Sequence, residues 1–240
     1  MELYQYIILF FSVMLSGSAY FLVKSSSRYF LKLSLAFSGS FLFAISILHL
    51  MPDIYSHNTG NIGVFVLLGF FIQIVLEFFS EGIEHGHIHV HHHPSKAFPL
   101  TMMVSLCLHS FLEGMPLAYD THSNEGHNHS LFLGIALHHL PVAFALVSML
   151  SDSGIKKTTA LLWLALFALM APLGSTLSYL LGEGILVDMT MYYDKIMAVV
   201  IGIFLHISTT ILFESNNDHR FNMYKLGIIM IGGLFGYFIS

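Results

Sequence analysis

Charge is what this sequence has least of. Only 10% of its 240 residues are Asp, Glu, Lys or Arg, against roughly 25% in a soluble domain. With 55% hydrophobic residues and a mean hydropathy of +0.75, that shortage excludes a soluble enzyme, a disordered chain and a nucleic-acid binder. Cysteine is nearly absent. The single Cys107 lies in an apolar stretch, so no intrachain disulfide can form and no redox compartment can be read. Long polar segments are missing too. Eight membrane spans of ~20 residues would take about 160 residues and leave about 80 for loops. No loop is then long enough for a separate domain, and 1–240 reads as one transmembrane domain. The net charge of −5 is spread along the loops and points to no partner.

Apolar runs and histidine are what the chain does have. Eight runs lie near 4–23, 30–52, 62–80, 99–119, 130–150, 158–182, 194–214 and 221–239. The first carries small residues, Ser16-Gly17-Ser18-Ala19, that resemble a cleavage site. Its basic residues (Lys24, Arg28) follow rather than precede it, which fits an uncleaved first helix with its N-terminus outside. The inner loops then lie near 24–32, 81–98, 151–157 and 215–225. They hold Lys24, Arg28, Lys32, Lys96, Lys156, Lys157, Arg220 and Lys225, while Lys195 alone falls outside. Positive charge belongs on the inner side, and one helix more or fewer would scramble this sorting. The expected fold is an all-α integral membrane protein with eight spans and both termini outside. A faint echo, Gly39-Ser40-Phe41-Leu42 against Gly202-Ile203-Phe204-Leu205, hints at an inverted repeat around a central helix pair.

Ionisable residues inside apolar runs are costly and mark function. The fourth run contains His109-Ser110-Phe111-Leu112-Glu113-Gly114-Met115-Pro116, with His109 and Glu113 on one helix face. The fifth contains His138-His139-Leu140-Pro141-Val142. At ~1.5 Å per residue, His109 lies about 15 Å from the inner end of its helix and His138 about 12 Å from the outer end of the next. Their sum approaches the ~30 Å core thickness, so His109, Glu113 and His138 converge near the midplane if the two helices are antiparallel neighbours. Two imidazoles and a carboxylate form a normal ligand set for Zn²⁺ and also suit Fe²⁺ or Mn²⁺. A Glu–His pair bonded for packing alone is the competing reading. Pro116 and Pro141 release the carbonyls of Leu112 and Leu137 beside these ligands, or merely kink the helices.

Other polar groups outline a path. His49 and Asp53 lie at the outer end of the second run, Glu77 and Glu81 at the inner end of the third. Glu214 ends the seventh, with His206 two turns further in. The inner loop carries His85, His87, His89, His91, His92 and His93, six histidines in nine residues, which form a flexible chelator. A weaker outer group holds Asp120, His122, Glu125, His127 and His129. Cys107, two residues from His109, faces away from it and reads as packing.

These motifs resemble those of the ZIP (Zrt/Irt-like) family of divalent metal transporters. His109-Ser110-x-x-Glu113-Gly114 resembles the signature of its fourth helix and His138-x-x-Pro141 that of the fifth. His49-Leu50-x-Pro52-Asp53, Pro172-Leu173-Gly174 and the His-rich loop at about 81–98 also fit. The resemblance implies a 3+2+3 inverted-repeat arrangement, in many members a homodimer, and transport towards the cytoplasm of Zn²⁺ or a related cation (Fe²⁺, Mn²⁺, Cd²⁺). The metal is then substrate rather than cofactor, the lipid bilayer is the surrounding partner, and the expected location is the plasma (cell inner) membrane. The implied primary site is His109, Glu113 and His138. Many members carry glutamate directly after the helix-five proline and an acidic residue before the helix-six proline. Here Val142 and Ala171 stand there, leaving a second metal only Ser110, Glu113 and His139. Histidine in the primary site leans towards Zn²⁺ over the harder Mn²⁺. An intramembrane metal-dependent hydrolase is the alternative, but its usual His-Glu-x-x-His signature is absent, so the chain reads as no enzyme. Transport in the opposite direction is left open by residue spacing.

Overall fold

The computed structural model describes residues 3–22, 28–57, 60–80, 82, 98–118, 125–181, 192–213 and 223–239. The described residues are helical and contain no strand. The helices are α1 (Leu3–Ala19), α2 (Arg28–Ile45), α3 (Met51–His57), α4 (Ile62–Ser80), α5 (Phe98–Gly114), α6 (Glu125–Asp152), α7 (Lys157–Leu180), α8 (Tyr193–Phe213) and α9 (Met223–Phe238). A π turn at Ser46–Leu50 joins α2 to α3, so the two continue as one apolar segment from Tyr29 to Ser56. It carries His49 and precedes Pro52, whose ring cannot sit against the carbonyl of a regular preceding turn.

Each expected apolar run has its helix. Among the described residues, six segments are long and apolar enough to cross a membrane: Tyr29–Ser56, Ile62–Ser80, Leu100–Ala118, His129–Asp152, Lys157–Leu180 and Tyr193–Phe213. The apolar helices α1 and α9 have 17 and 16 residues, slightly short of the ~20 that a span needs. The outward faces are apolar. On α4, Val64, Leu67, Phe71, Val75 and Phe78 are all exposed, a surface that suits hydrocarbon and not water.

The core gathers around α6 and α8, which bury residues on nearly every turn. α4 packs along α8 and α2 along α9, while α1 packs on α6 and α5 on α7. The sequence expectation of neighbouring fourth and fifth spans holds at the site but not along their length. α5 and α6 touch over few residues because α7 and α1 occupy most of their flanks.

Two crossings are built the same way. A Cβ on Gly69 would lie 1.9 Å from the carbonyl oxygen of Val199, and one on Gly202 would lie 2.0 Å from that of Val66. On the α5–α7 crossing, a Cβ on Gly114 would lie 2.1 Å from the Ala171 oxygen, and one on Gly174 would lie 2.0 Å from that of Phe111. In each case a carbonyl at one position and a glycine three residues on face their counterparts, so the backbones approach as only small residues allow. Gly232 of α9 similarly meets the Phe37 oxygen of α2, 2.5 Å from where a Cβ would sit. The echo between Gly39 and Gly202 does not mark equivalent surroundings. Gly39 meets the Ile211 side chain, whereas Gly202 meets the backbone of α4.

Candidate metal centre

The centre is assembled beside the prolines of α5 and α6. Pro116 ends the regular bonding of α5 at Gly114, and the chain tightens into a 3-10 turn at Met115–Ala118. Pro141 stands inside α6, which runs on through it. Just before these prolines, α5 presents His109, Ser110 and Glu113, and α6 presents His138 and His139. His109, Ser110, Glu113 and His138 are fully enclosed at 0% exposure, and His139 is at 2%.

The geometry is convergent. His109 Nε2 lies 3.1 Å from Glu113 Oε1, one turn along the same helix. One ligand atom from each of His109, Glu113 and His138 lies within 4.8 Å of the others. Donors on one tetrahedral zinc are about 3.3 Å apart, given bond lengths of about 2.0–2.1 Å. The His109–Glu113 spacing already matches, and the His138 donor lies within 4.8 Å of both. A group of three such donors occurs once among the described residues. His139 Nε2 donates to the other carboxylate oxygen, Glu113 Oε2, at 2.9 Å, and its ring packs on Phe167 of α7 with centroids 5.2 Å apart. Ser110 Oγ is buried with no hydrogen-bond partner, a hydroxyl that a polar guest would satisfy.

Sequence reasoning missed Gln73. This residue of α4 is fully buried, and its Oε1 lies 3.1 Å from His109 Nδ1. Its signal was a lone amide in an otherwise apolar run. One turn further along α4, Glu77 pairs with His206 of α8. Phe70 packs edge-on to the His206 ring at 4.9 Å between centroids. His49 Nε2 donates to the Gly236 carbonyl at 2.9 Å and so ties the π turn to α9. Asp53 is half-buried one turn beyond it, on α3. Cys107 is part-buried against the core. Val142 and Ala171 are buried apolar residues, and Ala171 offers its backbone to the α5–α7 crossing. Glu81, Glu214, His85, His87, His89, His91, His92 and His93 lie outside the described residues, as do Asp120 and His122. The side chains of Glu125 and His127 lie outside them too.

A family profile described as "ZIP Zinc transporter" matches residues 92–240, which include α5 to α9 and the whole His/Glu cluster. Among curated proteins, the chain is similar to "Zinc transporter ZIP9-B" of Xenopus laevis, 33% identical over 135 residues, which cover 52% of this chain and 43% of that protein. "Zinc transporter ZIP9" of Micropogonias undulatus is 31% identical over 124 residues, covering 50% of this chain and 39% of the relative. "Zinc transporter ZIP1" of Danio rerio is 33% identical over 95 residues, covering 39% and 30%. The chain spans less than half the length of these relatives.

Proposed function

The chain belongs to the ZIP zinc transporter family, and on that premise we propose that it carries a divalent cation, zinc first, through the bilayer to the cytoplasm by alternating access at a His109–Glu113–His138 site. The observation that carries this reading is the enclosure of three donors, one of them a carboxylate, at 0% exposure and within 4.8 Å of one another. A carboxylate at membrane depth is costly unless compensated, and a divalent cation compensates it directly. The donor set suits zinc.

The helix pairing supports a 3+2+3 arrangement, and the sorting of basic residues among the loops supports both termini outside. Exchanging α1 with α7, α2 with α8, α4 with α9 and α5 with α6 turns the α4–α8 pair into the α9–α2 pair and the α5–α7 pair into the α6–α1 pair. Inverted repeats of this kind place substrate at their shared interface. The route we assign runs from Asp53 past His49 to the cluster, and onward past Gln73, Glu77 and His206 to Glu81, Glu214 and the His-rich loop. The bound metal would leave Ser110 and His139 as its polar surroundings. With Val142 and Ala171 apolar, one metal rather than two fits the donors.

Uptake into sealed vesicles of the purified protein tests the proposal, with Zn²⁺, Fe²⁺, Mn²⁺ and Cd²⁺ compared. Saturable zinc uptake that disappears in Glu113→Gln supports it. Uptake equal to empty vesicles, or unchanged in that variant, overturns it.

A further inference from the structure

The apolar helix α4 carries one buried amide, and its partner is a nitrogen of the proposed metal centre. We propose that Gln73 is a positioning residue that sets His109 as a metal ligand by accepting the Nδ1–H hydrogen bond, so that Nε2 keeps its lone pair towards Glu113 and His138. This inference rests on the reading of His109, Glu113 and His138 as the metal site.

A neutral imidazole carries one proton, and the nitrogen that holds it cannot bind metal. His109 Nε2 faces the carboxylate, 3.1 Å from Glu113 Oε1. His109 Nδ1 faces α4, 3.1 Å from Gln73 Oε1. A carbonyl oxygen accepts only, and the Nδ1–Gln73 contact has hydrogen-bond geometry whereas the equally close Nε2–Glu113 contact does not, so the arrangement selects the Nδ1–H form. Had the amide presented its NH₂ to Nδ1, the proton would sit on Nε2 and block the ligand atom. A second partner of this kind orients the ring and raises its basicity, and losing one weakens metal affinity by about 10- to 100-fold.

The amide is well placed for this work. Gln73 is 0% exposed in a helix whose outward face is apolar, and burying an unbonded amide is unfavourable. Gly69, one turn earlier, locks α4 against α8 through the Val199 carbonyl. Ser105 of α5 donates to the Leu76 carbonyl of α4 on the other side. Glu77, one turn later, is held by His206. The height of Gln73 relative to His109 is therefore fixed from several directions.

The test uses the full chain in lipid nanodiscs. Nitrogen-15 spectra of the histidine-labelled, metal-free wild type report the tautomer of His109, identified as the signal missing in His109→Asn. The Nδ1–H form is expected, and the Nε2–H form overturns the proposal whatever any Gln73 variant does. Zinc titrations then compare Gln73→Met, which keeps the shape and removes the acceptor, with Gln73→Glu, which keeps an acceptor. A 10- to 100-fold weaker affinity and a mixed tautomer are expected for Gln73→Met, with both restored in Gln73→Glu. Wild-type affinity in Gln73→Met, or equal weakening in both variants with the tautomer unchanged, shows that the amide only packs. Glu113→Gln measured in parallel separates the two levels. If it binds zinc normally, the metal-site reading fails. If it loses zinc while Gln73→Met does not, only the role of Gln73 fails.

Discussion

Glu113 receives a hydrogen bond from His139 Nε2 at 2.9 Å, across the interface between α5 and α6. The carboxylate is thereby held with Oε2 towards His139 and Oε1 towards His109, 3.1 Å away. His139 thus orients the Glu113 carboxylate from outside the convergent group of His109, Glu113 and His138. Adjacent histidines on one helix meet different neighbours, the His109 ring for His138 and the Phe167 ring for His139, because consecutive positions point about 100° apart.

Glu113→Gln removes the one carboxylate of the convergent group and keeps its shape. Zinc binding should fall at least 100-fold while the protein remains inserted and helical, because a neutral amide cannot offset a dication in a low-dielectric site. Calorimetric zinc titration and circular dichroism of the same sample check both halves.

His139→Gln should be milder. It disturbs the carboxylate rather than removing a donor, so affinity should weaken by about 10-fold, in the range for partners that orient a ligand. A loss as deep as that of Glu113→Gln would make His139 a direct ligand.

Apparent zinc affinity should weaken as pH falls from about 7 to 5. Ordinary histidine titrates near pH ~6.5, and protonated imidazole has no lone pair for metal. The proton-bound form therefore gains as pH falls, and metal binding must release protons. His138→Gln should flatten this dependence. Zinc titrations across the range, with proton release followed in weak buffer, provide the measurement.

Gly69→Ala should destabilise the fold. Its Cβ would lie 1.9 Å from the Val199 carbonyl oxygen, a backbone atom that cannot rotate away. Separating α4 from α8 should cost about 1–3 kcal/mol, as for other overpacked interfaces. Gly233→Ala is the matched control, since a Cβ there meets nothing within 4 Å. Thermal unfolding in one detergent should show a lower midpoint for the first and an unchanged midpoint for the second.

Much of this is legible in the sequence because membranes simplify the code. Apolar runs near span length mark every helix, and the four-residue spacing of His109 and Glu113 is enough to put both side chains on one helix face. The π turn at His49 is not legible, since the length of the run shows only that a helix continues and not how its bonding shifts. The close crossings at Gly69 and Gly202 depend on which helices meet, and sequence order does not disclose that α4 packs on α8. Gln73 escapes notice because a single amide in an apolar run matters only once its partner, 36 residues away in sequence, is known.

The single carboxylate of the convergent group also has an electrical consequence. Two neutral imidazoles and one carboxylate carry −1, so a bound dication leaves the loaded site at +1. In the proposed transport cycle an inside-negative potential would pull the loaded site inward, by about 2.3 kcal/mol for each 100 mV that this charge crosses. The same potential hinders the inward step of the empty site if Glu113 stays ionised, and ceases to act on it once Glu113 is protonated. On the proposed mechanism the membrane voltage would then be a driving term for whichever half of the cycle moves net charge.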